Sequence, residues 1–431
     1  APMTSGLVIA APRSGSGKTT VTIGLLAALR RRGLVVAPAK TGPDYIDPAF
    51  LARAALREAV NLDPWSMSAA RLKSLAATQS IGADLLLVEG VMGLFDGAAD
   101  NTGSTGDLAE LLALPVILVI DAERQSQSVA PLVAGFANWR PGVRIAGTIL
   151  NRVASMKHER MLLDALTATG IPCLGAIPRD AALAIPDRHL GLVLPGEVTA
   201  FDTFLDAAAE AVAAYIDLPR LQSLSAPIAQ GGNAPAPLPP LGQRIAVARD
   251  DAFAFLYPHI LDGWRAMGAE LSFFSPLADQ APAADADAVY LPGGYPELHA
   301  ATLASAANFK AGLTAARDRD ALLYGECGGF MVLGETLVDK TGQGHAMTGL
   351  LPVTTRIDRP KRILGYRRLV QSGALPWPGR LNGHEFHYSS ARQSRLPPLF
   401  AATDARGDPL PPMGAAINRV MGSYAHVVDA A

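Results

Sequence analysis

Two short segments bring together residue types whose spacing does chemistry. Residues 11–20 read Ala-Pro-Arg-Ser-Gly-Ser-Gly-Lys-Thr-Thr. Small residues in succession let backbone N–H groups face an anion, and a helix that follows adds its positive end. A lysine then reaches the β/γ-phosphates, and a hydroxyl serves Mg²⁺. Ser14, Gly15, Ser16, Gly17, Lys18, Thr19 and Thr20 are therefore the expected cradle for ATP. The strict pattern has glycine where this chain has Pro12, but an apolar run precedes the loop and a helical pattern follows it.

The second segment, residues 321–330, reads Ala-Leu-Leu-Tyr-Gly-Glu-Cys-Gly-Gly-Phe. An apolar strand entering Gly325-x-Cys327-x-Gly329 has the pattern of a nucleophile elbow, where glycines allow a sharp strand-to-helix turn. The helix that follows favours a thiolate. The N–H of Gly328 is a candidate oxyanion donor, with a second expected from Gly294 in Leu291-Pro-Gly-Gly-Tyr-Pro-Glu297. A thiol nucleophile needs a base, and the downstream candidates are His384, His387 and His426. Cys173 lacks such surroundings and reads as an ordinary buried cysteine.

Mg²⁺ is usually held by one or two carboxylates with phosphate and water. Glu89 directly follows the run Leu85-Leu86-Leu87-Val88, and Asp47 lies in the loop after the second apolar run. Ligands of open α/β sheets gather at the carboxyl ends of strands, which puts both acids near the phosphate loop. Arg356, Arg359, Lys361, Arg362, Arg367 and Arg368 form a basic cluster. Such runs are mostly solvated faces, but a substrate with many carboxylates would need a wall of this kind.

The elements that must position these residues follow from the apolar pattern. The phosphate loop sits between a run at 7–11 and a helix from Lys18, on which Val21, Leu25, Leu26 and Leu29 share a face. Basic residues 30–32 load its last turn and Gly33 caps it. A run at 34–37 completes a βαβ unit. Further runs at 84–88, 116–120 and 145–150 lack polar alternation, as strands covered on both faces of a parallel sheet do. The expected fold is α/β in two domains: a P-loop NTPase-type parallel sheet over 3–217 and a second α/β domain over 244–429. Between them, 218–243 is rich in proline and reads as a linker. The second pattern restarts at 244–248 and continues at 271–274, 288–291 and 321–324.

Two cysteines are too few for a disulfide framework, which points to the cytoplasm. A net charge of −2 gives no footing for nucleic acid or a membrane surface. No apolar run reaches the ~18 residues of a membrane span.

Lys40-Thr-Gly-Pro-Asp-Tyr-Ile-Asp-Pro48 and Val88-Glu-Gly-Val-Met-Gly-Leu-Phe-Asp-Gly97 resemble signature segments of the cobyrinic and hydrogenobyrinic acid a,c-diamide synthases. The first domain is also similar to dethiobiotin synthetase. Residues 244–429 resemble a class I glutamine amidotransferase of the flavodoxin-like kind. The resemblance implies ATP- and glutamine-dependent amidation of a corrin precursor, with small molecules as partners and a homodimer as a possible assembly. It implies Mg²⁺ on Thr19, Asp47 and Glu89, and adenine read by Asn151 in Thr148-Ile-Leu-Asn-Arg152. It also implies His426, in Gly422-Ser-Tyr-Ala-His426, as the catalytic base. Ordinary class I enzymes carry a Glu two residues after this His, where this chain has Val428. Asp44, Tyr45 and Ile46, beside Asp47, are the expected substrate segment. With one phosphate loop, only one of the a and c carboxylates is activated at a time.

Overall fold

The computed structural model describes residues 3–185, 195–393 and 396–431. The chain divides into two compact units, Ala1–Pro235 and Ala236–Ala431. In the first, β1 (Ser5–Ala10) enters the glycine loop and α1 (Lys18–Arg31) leaves it. Then come β2 (Val36–Thr41), α2 (Asp47–Ala55), β3 (Val60–Leu62), α3 (Ala69–Ser80) and β4 (Leu85–Glu89). α4 (Thr105–Leu112), β5 (Val116–Asp121), α5 (Val129–Trp139), β6 (Ile145–Val153), α6 (Met156–Thr167) and β7 (Cys173–Pro178) continue the alternation. α7 (Pro195–Tyr215), α8 (Leu218–Ser223) and β8 (Ala226–Pro227) close the unit.

Strands β1 to β7 make a parallel sheet in the order β3-β2-β4-β1-β5-β6-β7, with β8 antiparallel to β1. The continuous apolar runs are explained by burial on both faces: Leu7, Val8, Ile9, Leu86, Leu87, Val88, Ile117 and Leu118 are fully inaccessible. Helix α1 is buried more completely than a single apolar face requires, because α7 packs across it. A Cβ on Gly24 would come within 2.7 Å of the Ala208 carbonyl oxygen. The proline-rich stretch is built into both units. Pro219 occupies the first turn of α8, β8 pairs with β1, and Arg71 Nη1 donates to the Pro235 carbonyl at 3.0 Å. Farther on, Trp377 Nε1 donates to the Pro239 carbonyl at 2.8 Å within the second unit.

The second unit begins with β9 (Arg244–Ala248), α9 (Pro258–Ala266), β10 (Glu270–Phe274) and β11 (Ala288–Leu291). α10 (Ala300–Ala304), α11 (Ala307–Asp318), β12 (Leu322–Glu326) and α12 (Gly328–Leu333) follow. Next are β13 (Thr336–Val338), β14 (Gly344–Ala346), β15 (Val353–Arg356), β16 (Ile363–Gln371), β17 (Arg380–His387) and β18 (Ser390–Gln393). β19 (Phe400–Thr403), β20 (Pro409–Met413), β21 (Ala415–Ile417), β22 (Val420–Ser423) and β23 (His426–Ala430) end the chain. A six-stranded sheet runs β10-β9-β11-β12-β22-β21, parallel except for β21. Two further sheets, β14-β13-β15-β18 and β20-β19-β16-β17-β23, are mainly antiparallel and were not foreseen in the sequence. No described helix is long and apolar enough to cross a membrane.

Candidate functional sites

In the first unit the site forms where the central strand β1 ends between β4 and β5, the crevice that open α/β sheets use for ligands. Gly15 and Gly17 take φ of 78° and 84°, the left-handed region that turns the loop into α1. Lys18 and Thr19 open the helix and are buried. Ser16 Oγ donates to the Arg13 carbonyl at 2.8 Å, and Thr20 Oγ1 to the Leu183 carbonyl at 3.3 Å, while Ser14 is exposed. Asn151, at the end of β6, gives its amide to the Ser16 carbonyl at 3.1 Å. Its neighbour Arg152 donates to the Gly15 carbonyl at 2.8 Å and to Asp121 at 2.9 Å. Asn151 and Arg152 thus brace the loop from behind.

The expected metal ligands are brought together. Thr19 Oγ1 donates to Glu89 Oε1 at 2.5 Å. Asp47 starts α2, and its loop is shaped by Asp44, whose Oδ1 accepts from the N–H groups of Ile46 at 2.7 Å and Asp47 at 3.2 Å. Between the two acids lies a group not anticipated from the sequence. Lys40 Nζ lies 3.0 Å from Asp47 Oδ2, 3.2 Å from Glu89 Oε1 and 3.1 Å from the Gly90 carbonyl. Burial alone would pull the ammonium down, but Glu89 and Asp47 outweigh it and hold Lys40 above its usual range. Its signal was its place at the end of β2, immediately before the loop that carries Asp47. Asp44 is half-buried and is pushed up to about 7, chiefly by desolvation and then by Asp47.

Among the described residues no group of three or more His, Cys, Asp or Glu is placed to hold a metal by itself. A Mg²⁺ bound here would complete its shell from Thr19, phosphate and water, as this hard cation usually does. The donor set fits: Glu89 Oε2 is buried without a hydrogen-bond partner among the described residues, and an unsatisfied buried oxygen calls for a cation or donor.

In the second unit Cys327 sits between β12 and α12 at φ 49°, ψ −108°. Such a conformation costs about 1–3 kcal/mol and persists where the surroundings over-determine it. They do so through close backbone approaches. A Cβ on Gly325 would lie 2.7 Å from the Gly329 backbone, and one on Gly329 only 1.9 Å from the Leu291 carbonyl oxygen. Cys327 N–H donates to the Ser423 carbonyl at 2.8 Å, tying the turn to the end of β22. The two expected oxyanion donors adjoin, since a Cβ on Gly328 would be 3.1 Å from Gly294 N. His426, three residues past β22, packs over Gly293: a Cβ there would come within 2.4 Å of its ring Cε1.

The three candidate histidines differ in state. His426 is fully buried, and desolvation, with His384 and His387 adding, pushes it down to about 3. It is a neutral ring. His384 pairs with His426 across β17 and β23, and is pushed down to about 4 by burial and then by Arg367. His387 has both nitrogens on oxygen acceptors, Nε2 on Glu385 Oε1 at 2.7 Å and Nδ1 on the Ser389 carbonyl at 2.8 Å. Both of its nitrogens are thus already engaged by protein oxygens, leaving neither turned towards a thiol. Glu385 is further bound by Arg367 Nε at 2.8 Å. Arg367 is therefore turned inward and leaves the basic cluster, and Arg356 pairs with Asp358 at 2.7 Å. Arg359, Lys361, Arg362 and Arg368 remain exposed.

The surroundings of Cys327 disfavour the thiolate expected from the following helix. Helix α12 has only six residues, and burial, with Glu297 next, pushes the Cys327 thiol far above its ordinary range.

A family model described as a CobQ/CobB/MinD/ParA nucleotide binding domain matches residues 7–193. Another, described as a CobB/CobQ-like glutamine amidotransferase domain, matches 244–430. Hydrogenobyrinate a,c-diamide synthase of Brucella suis is 54% identical over 429 residues, 98% of each chain. The protein of that name from Rhizobium meliloti is 52% identical over 99% of each chain. Its Rhodobacter capsulatus counterpart is 48% identical over 98% of each. Among solved structures, the MinD cell division protein of Aquifex aeolicus aligns at 17% identity and TM-score 0.36, covering 52% of this chain and 99% of that one. That likeness is too slight to carry an argument.

Proposed function

We propose how two sites share the work of a chain that belongs to the family of hydrogenobyrinate a,c-diamide synthases. The chain is a glutamine-dependent, amide-forming ligase with a nucleotide-binding domain. Its substrate is cobalt-free hydrogenobyrinate, and its product carries amides in place of the a and c carboxylates. The observation that carries this reading is full-length similarity to proteins of that name, with both chemical sites in one chain.

In the second unit Cys327 Sγ attacks the side-chain carbonyl carbon of glutamine. His426 takes the thiol proton and returns it to the departing ammonia. The N–H groups of Gly328 and Gly294 hold the oxyanion, and losing a single donor of this kind costs about 10²–10³-fold. Water then cleaves the thioester, releases glutamate and restores the thiol. In the first unit the γ-phosphoryl group of ATP passes to a substrate carboxylate. Ammonia displaces phosphate from that acyl phosphate and leaves the amide. Residues 14–20 cradle the phosphates, with Lys18 as the cation at the helix start. Asn151 supports the loop and is the residue that would read adenine.

Thr19, Asp47 and Glu89 are the residues that would hold Mg²⁺, which supplies charge neutralisation on the phosphate oxygens. Lys40 is the cation those two carboxylates share, and Asp44, Tyr45 and Ile46 present the substrate carboxylate. The proposed setting is the cytoplasm, where ATP and glutamine are both at hand. The test is mass spectrometry of products from hydrogenobyrinate and from cobyrinate, each with ATP, Mg²⁺ and glutamine. Two successive amidations of the cobalt-free substrate are expected. Diamide from cobyrinate alone, or from neither, would overturn the assignment.

A further inference from the structure

The acid that ordinary class I enzymes place two residues after the catalytic histidine is Val428 here. Its carbonyl is engaged by His259 Nε2 at 2.7 Å. The orientation of His426 must then come from elsewhere, and a buried acid used by no step of the reaction lies next to the nucleophile. Glu326 ends β12 and is 1% exposed. Its Oε2 accepts from the Val427 N–H at 2.9 Å and from Tyr324 OH at 2.7 Å. Its Oε1 accepts from Tyr290 OH at 2.5 Å.

We propose that Glu326 is a positioning residue, tying the residue before Cys327 to the residue after His426 and so fixing the nucleophile–base geometry. The inference rests on His426 being the base. One carboxylate joins every strand that delivers a site group. β11 carries Tyr290 and runs on into Gly293 and Gly294, β12 carries Tyr324 and runs into Cys327, and β23 begins at His426. The frame is stiff. Tyr290 and Tyr324 stack at 5.9 Å and 9°, with Trp264 edge-on to the first at 5.5 Å and Trp377 edge-on to the second at 5.3 Å.

The chemistry selects an acid. Three hydrogen bonds converge on Glu326 from two tyrosine hydroxyls and from the Val427 N–H, which can only donate, and a carboxylate accepts all three at once. Burial pushes the Glu326 carboxyl up to about 7 despite these bonds. A position kept for stability alone is better served by an apolar side chain, because a buried charge is expensive to desolvate. Glutamine has the same shape but turns an NH₂ towards one of the donors. That NH₂ must meet either the Val427 N–H or a hydroxyl that has to give up its own bond to the carboxylate, and either change loosens the tie that holds His426.

The experiment compares Glu326→Gln, Trp264→Phe and His426→Asn in the full chain, measuring glutaminase kcat and KM, ammonia-dependent amidation and thermal unfolding. Misplacing a base by a fraction of an ångström to 1 Å should lower kcat for glutamine roughly 30-fold in Glu326→Gln. The KM for glutamine should stay within about twofold, since binding contacts are untouched. Amidation from ammonium should be unchanged. Trp264→Phe removes frame packing without touching the carboxylate, and should lower the unfolding temperature while sparing kcat. Unaltered kcat in Glu326→Gln, a rise in KM alone, or an equal kcat loss in Trp264→Phe would each overturn the proposal. If Glu326→Gln does not fold, Glu326→Asp, too short to reach all three donors, carries the same expectation. His426→Asn keeps the readings apart: retained glutaminase there refutes the base, whereas its loss with normal Glu326→Gln refutes only the positioning role.

Discussion

Replacing Lys40 with methionine removes the cation between two buried carboxylates and nearly preserves side-chain length. Lys40 Nζ is 3.0 Å from Asp47 and 3.2 Å from Glu89, and the three residues are 2%, 4% and 0% exposed. Breaking one buried pair by removing a partner costs about 3–5 kcal/mol. The two acids share a single cation, and one of them can take up a proton when it is gone, so the cost should stay near that of one pair. For a domain of this size each kcal/mol shifts the midpoint by about 2–4 °C, so the first unit should unfold roughly 6–20 °C lower. The lysine's folded pKa is raised. Its contribution is therefore complete below the usual lysine pKa and is lost only as pH rises through the higher folded value. Scanning calorimetry at near-neutral pH reads it in full. Mg²⁺ should restore part of the loss in the variant, because a cation that binds the folded state stabilises it. A midpoint within about 2 °C of the unaltered protein, for which an intact pair predicts several times more, would refute the claim that these acids depend on Lys40.

Asp47→Asn, Glu89→Gln and Lys18→Ala should each slow synthesis about 100-fold with either nitrogen source, the effect of losing ~3 kcal/mol of transition-state stabilisation; near-normal ammonia-dependent rates in Glu89→Gln would remove it from the metal site. His426→Ala should prevent trapping of labelled glutamine as a thioester and His387→Ala should not; the reverse would return the role to His387. Substitutions at Tyr45 or Ile46 should change the ratio of the two amidations more than they change glutaminase activity. In a pulse of labelled substrate chased with unlabelled monoamide, label should be diluted out of the diamide, and undiluted passage would show both amidations in one binding event.

Much of this was legible in the sequence because it is local. The phosphate loop and the elbow each depend on a handful of consecutive residues whose glycines are demanded by backbone geometry. The parallel strands showed themselves as unbroken apolar runs, such as 85–88 and 116–120. Lys40 was missed because its role depends on two acids, one 7 and one 49 residues away, that meet only when β2 lies beside β4. The same holds for Glu326, whose three donors come from three strands. The β16–β17 hairpin was hidden because β16 has neither an unbroken apolar run nor a regular polar–apolar alternation, and both strands carry charges, as in Arg367, Arg368 and Glu385. What looked like a solvated basic run thus contains one residue, Arg367, that points into the core to meet Glu385. The sequence did not show how fully Cys327 is buried, and a six-residue helix offers little to offset desolvation of a thiolate.

The central claim is that one unit makes ammonia and the other activates a carboxylate. Cys327→Ser, assayed for diamide formation with glutamine and, separately, with high ammonium, tests it most directly. Glutamine-dependent synthesis should vanish while ammonium-dependent synthesis continues near the unaltered rate. Loss of both activities in a properly folded variant would contradict the division of labour.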